Sequence, residues 1–182
     1  MREYLRLFEA EKRPEKLSLA KLPYATDALE PVMSKSTVEY HYNKLSRAYV
    51  DRYNAGEGDA DFNYGGAMLH NLWWPQLRPA QGANKPVGAV ADMINAEYGS
   101  YTEFQDKFTE LAMGLQGSGW CYLSRGGNIQ TLKNQDYNRS VILPVDMWEH
   151  SYILTKPDKA AYLKNIWRII NWDVINHRLA GQ

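Results

Sequence analysis

The chain has a single cysteine, Cys121, among 182 residues. No disulfide can form within it, and a zinc site built on several thiolates is excluded. A lone thiol suits a reducing compartment. An excess of one charge is missing as well: Lys and Arg number 21, Asp and Glu number 21, and the formal net charge is zero. There is thus no global basic field to gather nucleic acid and no acidic tail, and the weak colloidal protection favours a defined oligomer. No apolar run approaches the roughly 20 residues that span a bilayer. The first thirteen residues lack the unbroken apolar stretch of a signal peptide and are too acidic for an organelle transit peptide. The expectation is a soluble, cytoplasmic protein with no nucleic-acid and no membrane partner.

Aromatic and apolar residues are plentiful: 45% of the chain is hydrophobic, with 6 Trp and 13 Tyr, enough for a packed core. Tyr4, Leu5, Leu7 and Phe8 would line one side of a short helix over 2–12, ended by Pro14. A proline-punctuated segment follows through Pro23 and Pro31. Ser36 or Thr37 then reads as an N-cap, with capping-box spacing from Ser36 to Glu39. The helix after it runs to about Asn54 and sets Val38, His41, Tyr42, Leu45 and Tyr49 on one face. After the polar turn at Ala55–Asp59, a second helix spans about 61–75. Gly65-Gly66 lowers its propensity, which implies a close approach to the backbone. Two more helices are expected over 87–98 and 102–115. The period then changes to short strands at Trp120–Leu123, Ile129–Leu132 and Ser140–Leu143, the first two joined by a turn at Arg125–Asn128. Helical spacing returns from Asp158. The fold class is α+β: an N-terminal helical hairpin, then an α/β domain with a small three-stranded antiparallel sheet. The boundaries read as an N-terminal extension over 1–21, the hairpin over 22–80 and the α/β domain over 81–182.

Of the 4 His, three lie in aromatic surroundings: His41 in Glu-Tyr-His-Tyr, His70 in Met-Leu-His-Asn-Leu-Trp-Trp, and His150 in Asp-Met-Trp-Glu-His. The fourth, His177, lies between Asn176 and Arg178. A core imidazole needs a hydrogen-bond partner or a metal. Asp146 and His150, four residues apart, place an oxygen and a nitrogen on one side of a turn. Three imidazoles and one carboxylate suit Mn, Fe, Zn or Co. As a closed tetrahedron they make a structural zinc site; with a further solvent ligand, a redox centre.

Five ordered motifs carry a resemblance. They are Leu22-Pro-Tyr-Ala…Ala28-Leu-Glu-Pro, Glu39-Tyr-His-Tyr-Asn-Lys, Phe62-Asn-Tyr-Gly-Gly-Ala-Met-Leu-His, Gly117-Ser-Gly-Trp-Cys-Tyr-Leu and Asp146-Met-Trp-Glu-His-Ser-Tyr. Tyr162-Leu…Trp167…Asn171-Trp extends them. From Leu22 to Leu179 the sequence resembles the iron/manganese superoxide dismutases. The resemblance implies an antioxidant oxidoreductase that turns superoxide into oxygen and hydrogen peroxide on one Mn or Fe ion per subunit. Its ligands would be His41, His70, Asp146 and His150, with a water or hydroxide beside them. Gln135 matches the glutamine that bonds this solvent, and Gly66 occupies the helix position from which iron enzymes often supply that amide. The pair favours manganese. Tyr49 matches the gateway tyrosine that relays protons. Trp74, Trp120 and Trp148 match the apolar wall. Glu149 matches the glutamate that reaches the partner's ligand histidine, implying a homodimer.

The sequence departs from the family pattern at four places. Leu45 and Ile153 replace a His and a Tyr that normally hydrogen-bond across the dimer interface. Exchanging both partners for apolar groups is far cheaper than stranding one of them, which costs about 1–3 kcal/mol; an apolar contact is expected instead. The hairpin connection is short, favouring a dimer over a tetramer. Pro144 stands where manganese enzymes usually have Gly and iron enzymes often Thr. An arginine expected after the last ligand motif gives way to Lys159 or Ala160 in a shortened loop. A non-catalytic metal-binding relative would have lost ligands, and a hydrolytic zinc site would need a base beside them; neither condition is met.

Overall fold

The computed structural model describes residues 13–181. The expected helix over 2–12 lies outside them. Two helices form the N-terminal hairpin. The first arm is not one regular helix. It comprises α1 (Lys35–Tyr40), a π-helical turn (His41–Ser46) and α2 (Arg47–Ala55). Its N-cap is Ser34, whose Oγ accepts from the Thr37 N–H at 3.2 Å. The Ser36–Glu39 capping box does not form; Glu39 instead accepts from Thr26 Oγ1 at 3.1 Å. Ser34 prevails because its hydroxyl also joins Thr37 and Thr155, so tertiary bonding adds to the cap. Gly56 closes α2 with φ 68°, a left-handed cap that costs glycine little. Asp59 caps α3 (Ala60–Trp73) by accepting from the Phe62 N–H at 2.8 Å. Pro75 has no N–H to return to that helix, and a 3₁₀ turn (Trp74–Gln76) replaces the next turn.

Beyond the loop at residues 79–86 come α4 (Gly88–Tyr98) and α5 (Tyr101–Gly114). Ser100 Oγ caps α5, and Phe104, Phe108 and Ala112 bury its face at four-residue intervals. The sheet has β1 (Gly119–Ser124) at its centre, antiparallel to β2 (Ile129–Lys133) and to β3 (Val141–Asp146). β1 and β3 are buried at every position, whereas β2 buries only Ile129 and Leu132. Pro144 pairs with Tyr122 on the edge strand β3, the place where a missing N–H costs no ladder bond. The C-terminal helical stretch is two helices, not one: α6 (Lys159–Ile166) and α7 (Trp172–Leu179), with a 3₁₀ turn (Trp167–Ile169) between them. Asn171 caps α7 and so restarts the helix.

Among the described residues no helix is long and apolar enough to cross a membrane. Cys121 faces the core on β1, with Sγ 3.8 Å from the Phe108 carbonyl. Burial pushes its thiol far above the usual range. The folded protein should therefore leave a thiol reagent such as dithionitrobenzoate unreacted, and should release one equivalent on unfolding. Rapid labelling of the native protein would contradict this placement.

Candidate metal centre

Four side chains from four places in the chain converge. His41 opens the π-helical turn, His70 lies in the last turn of α3, Asp146 ends β3, and His150 sits in the 3₁₀ turn Glu149–Ser151 just after it. Nε2 of His41 lies 2.9 Å from Nε2 of His70 and 3.2 Å from Asp146 Oδ2. His70 Nε2 and His150 Nε2 lie 3.7 Å and 3.2 Å from the same oxygen. One donor atom from each residue falls within 4.8 Å of all the others. His41, His70 and Asp146 are fully buried, and His150 keeps a partly exposed edge.

The tautomer of His70 follows from its second nitrogen. Nδ1 lies 2.6 Å from the Gly66 carbonyl, which can only accept, so Nδ1 carries the proton. Burial lowers the His70 pKa to about 3, with His41 adding to the shift; His41 itself is lowered by burial to about 4, against the pull of Asp146. Both rings are neutral at pH 7. Burial would raise the Asp146 carboxyl, but the charge and hydrogen bond of His150, with the hydrogen bond of His41, outweigh it and hold it well below the usual carboxylate range. A neutral His70 with its proton on Nδ1 turns a bare lone pair at Nε2 towards a carboxylate. The same lone pair lies 2.9 Å from His41 Nε2, so the two imidazoles and the carboxylate point their donor atoms at one small volume that a cation would fill. Three imidazole nitrogens and one carboxylate oxygen fit a borderline divalent or trivalent ion such as Mn or Fe.

Behind His41, the Ser46 hydroxyl donates to the His41 carbonyl at 2.9 Å and accepts from Trp74 Nε1 at 2.9 Å. That bond fixes the Trp74 ring edge-on to His41 at 4.7 Å between centroids. The Tyr162 hydroxyl donates to the Asp146 carbonyl at 2.9 Å, and the Trp148 N–H donates to Asp146 Oδ1 at 2.9 Å. Ser46 and Tyr162 were not legible as site residues. The π-helical turn shifts the helix register, so even spacing in the sequence did not place Ser46 there; Tyr162 stood in the last of the matching motifs with no site role attached.

A directed chain of hydrogen bonds lies beside His70. Trp120 Nε1 donates to Gln135 Oε1 at 2.9 Å, and Gln135 Nε2 donates to the Tyr49 hydroxyl at 3.0 Å. The Tyr49 ring stacks on His70 at 5.3 Å. The two glycines of α3 make room for this chain. A Cβ at Gly65 would lie 1.8 Å from the Gln135 carbonyl oxygen, and one at Gly66 would lie 2.5 Å from the Tyr49 ring. Trp120 stands edge-on to His70 at 5.1 Å, and Trp148 stacks on His150 at 5.7 Å.

The other expected site residues lie further out. Pro144 does not face the four donors with a polar group; its carbonyl accepts from Gln76 Nε2 at 2.5 Å. Glu149 is exposed, Leu45 is half-buried, and Ile153 is 47% exposed with Leu154 and Tyr40 also on the surface. Lys159 Nζ reaches the Leu115 carbonyl at 3.5 Å. It borders an open cleft of about 560 Å³ with Gly117, Trp148, Glu149 and His150.

Two family models match the chain: the iron/manganese superoxide dismutase alpha-hairpin domain over residues 16–61 and the C-terminal domain over 86–178. Among curated relatives, an iron superoxide dismutase of Saccharolobus solfataricus is 36% identical over 91% of this chain and 94% of its own length. A mitochondrial manganese superoxide dismutase of Aspergillus niger is 36% identical over 90% and 92%. A superoxide dismutase of Porphyromonas gingivalis named for both metals is 34% identical over 88% and 97%. With both domains matched in order and four donors converging where they meet, the chain belongs to the iron/manganese superoxide dismutase family.

Proposed function

We propose that this site disproportionates superoxide, two anions and two protons giving one oxygen and one hydrogen peroxide, with one Mn or Fe ion held by His41, His70, Asp146 and His150. The observation that carries the reading is the convergence of one donor atom from each of His41, His70, Asp146 and His150 to within 4.8 Å of one another, three of the four residues being fully buried. When bound, the ion supplies the electron bookkeeping by alternating between its trivalent and divalent states. The chain's own residues supply the rest. Because the Tyr49 oxygen accepts from Gln135, its own proton is left free to be given to a reduced substrate. Burial, and then the charge of Asp146, push that phenol up to about 12, against the Gln135 hydrogen bond, so it stays protonated at neutral pH. Trp120 fixes which end of the Gln135 amide faces Tyr49. Trp74, Trp120 and Trp148 keep bulk water off the donors, which strengthens each polar contact there.

Manganese is the favoured ion. Gly66 leaves the helix without an amide, and Gln135 supplies one from beyond β2, held against Tyr49. Reconstitution separately with each metal tests the choice: dismutation with Mn should exceed that with Fe, and activity with Fe alone would reverse the preference while keeping the function. The cytoplasm is the favoured compartment, on the single buried thiol.

The assembly we favour is a homodimer built on the face beside His150. Exposed Ile153 and Leu154, half-buried Leu45 and the cleft at Glu149 support it. Leu45 and Ile153 would pack across the two-fold axis, with Glu149 reaching the partner's site. Ile153→Lys would bury a charge there, and sedimentation at micromolar concentration should show a dimeric wild type and a largely monomeric variant. A monomeric wild type would contradict the dimer.

A further inference from the structure

A second polar cluster lies behind the metal centre, built on residues that the dismutation chemistry leaves unused. Arg178, on α7, points its guanidinium inward. Nη2 donates to the Leu72 carbonyl at 2.6 Å; Nη1 donates to the Ile142 carbonyl at 2.8 Å and to Gln76 Oε1 at 2.9 Å. Among the described residues no carboxylate pairs with it, and its partners are all neutral oxygens. Leu72 lies in the last turn of α3, the helix of His70, and Ile142 lies on β3, the strand of Asp146. Gln76 is fully buried and completes the link, for its Nε2 donates to the carbonyl of Pro144, two residues before Asp146.

The sequence explains why these oxygens are free. Pro75 denies α3 a further N–H, so the helix ends at Trp73 with carbonyls to satisfy. A cation at a helix C-terminus is favoured by the helix dipole. Pro144 is on the edge of the sheet, so its carbonyl side is open to Gln76. Lysine could not replace Arg178 in full: its three donors radiate from a single nitrogen, whereas the guanidinium reaches oxygens on α3, on β3 and in the 3₁₀ turn after α3 from two nitrogens held apart in a plane.

We infer that Arg178 and Gln76 are positioning residues that lock the His70 helix to the Asp146 strand and so set the spacing of those two donors. The clamp touches neither the metal nor the substrate. Its effect is on how firmly a closed donor set is held, as with other partners that orient ligands from behind. The inference rests on the metal reading above.

The test uses the metal-loaded enzyme and four variants: Arg178→Met, Arg178→Lys, Gln76→Leu and, as a control for stability alone, Phe104→Leu. Phe104 is buried in α5 and packs against Tyr98, Tyr101, Phe108 and Trp167, away from the four donors. Three quantities are read for each: the urea midpoint of the metal-free protein, the rate of Mn release to a chelator under native conditions, and the visible absorption band of the loaded site. Arg178→Met and Gln76→Leu should release Mn at least about 10-fold faster than a Phe104 variant compared at equal metal-free stability. Arg178→Met should shift the absorption band, and Arg178→Lys should restore part of both readings. If Arg178→Met fails to fold, Gln76→Leu and Arg178→Lys carry the same comparison. Release rates that follow metal-free stability alone, with an unmoved absorption band, would overturn the clamp. A wild type that takes up neither Mn nor Fe would overturn the metal reading and the clamp with it.

Discussion

Asp146→Asn should leave a folded protein that no longer holds its metal. Asparagine keeps the shape and can still accept the Trp148 N–H at the position of Oδ1. The other end of the amide, where Oδ2 now lies 3.2 Å from His41 and His150 and 3.7 Å from His70, would donate a proton. The bare Nε2 of His70 would accept it, and the lone pair meant for a cation would be spent. Changes behind a ligand cost about 10–100-fold in metal affinity, so losing the anionic ligand itself should cost more than about 100-fold. Metal content should fall below about a tenth of an ion per subunit, with dismutation lost in proportion. The metal-free protein should lose stability as well. His150 and His41 hold the carboxyl below its ordinary range, so its ionised form stabilises the fold at neutral pH, a contribution lost as the pH falls through the folded pKa. The urea midpoint of metal-free Asp146→Asn at pH 7 should therefore lie below that of metal-free wild type. Retained metal, or a midpoint equal to or above that of metal-free wild type, would contradict this account of Asp146.

Gly65→Ala is the second large effect, and its sign runs against helix propensity. In an exposed helix the change would stabilise by about 0.5–1 kcal/mol. Here the new methyl carbon would sit 1.8 Å from the backbone oxygen of Gln135. Backbone cannot rotate out of the way as a side chain can, so either α3 or the Gln135 segment must move. The loss should exceed about 4 kcal/mol, in the range reserved for gross core misfit. Any protein that does fold should have Gln135 displaced from Tyr49 and Trp120, with activity down accordingly. Gly114→Ala is the matching control: nothing lies within 4 Å of its Cβ position, and a small gain of about 0.4–1 kcal/mol is expected. Thermal melts of the two variants check both predictions, and near-equal midpoints would contradict the close approach at Gly65.

The Gly65-Gly66 pair shows how much of this was legible in the sequence. Two glycines inside a helical pattern signal that something approaches; they do not say what. The partners are Gln135, some 70 positions on, and Tyr49, on the other arm of the hairpin, and only the fold joins them. The hairpin and the sheet were readable because their periodicity is local: buried positions recur at three and four residues in the helices, and the strands are bounded by turn residues. Asp146 and His150 were readable as a pair for the same reason. What escaped was set by tertiary contact. Ser34 displaced Ser36 as the cap because Thr155 bonds to it. The π-helical turn at His41–Ser46 follows no residue preference that spacing reveals. Pro144 reads as a disturbance near the ligands when taken in isolation, yet its carbonyl is one end of the Gln76–Arg178 link.

The most direct test of the central claim is metal content and superoxide consumption measured on the same purified protein, made metal-free and then reloaded with Mn or with Fe. The account predicts close to one ion per subunit and catalytic dismutation that rises with metal content and is absent from the metal-free protein. A chain that binds no ion at the four donors, or that binds one and leaves superoxide to decay at its uncatalysed rate, would contradict it.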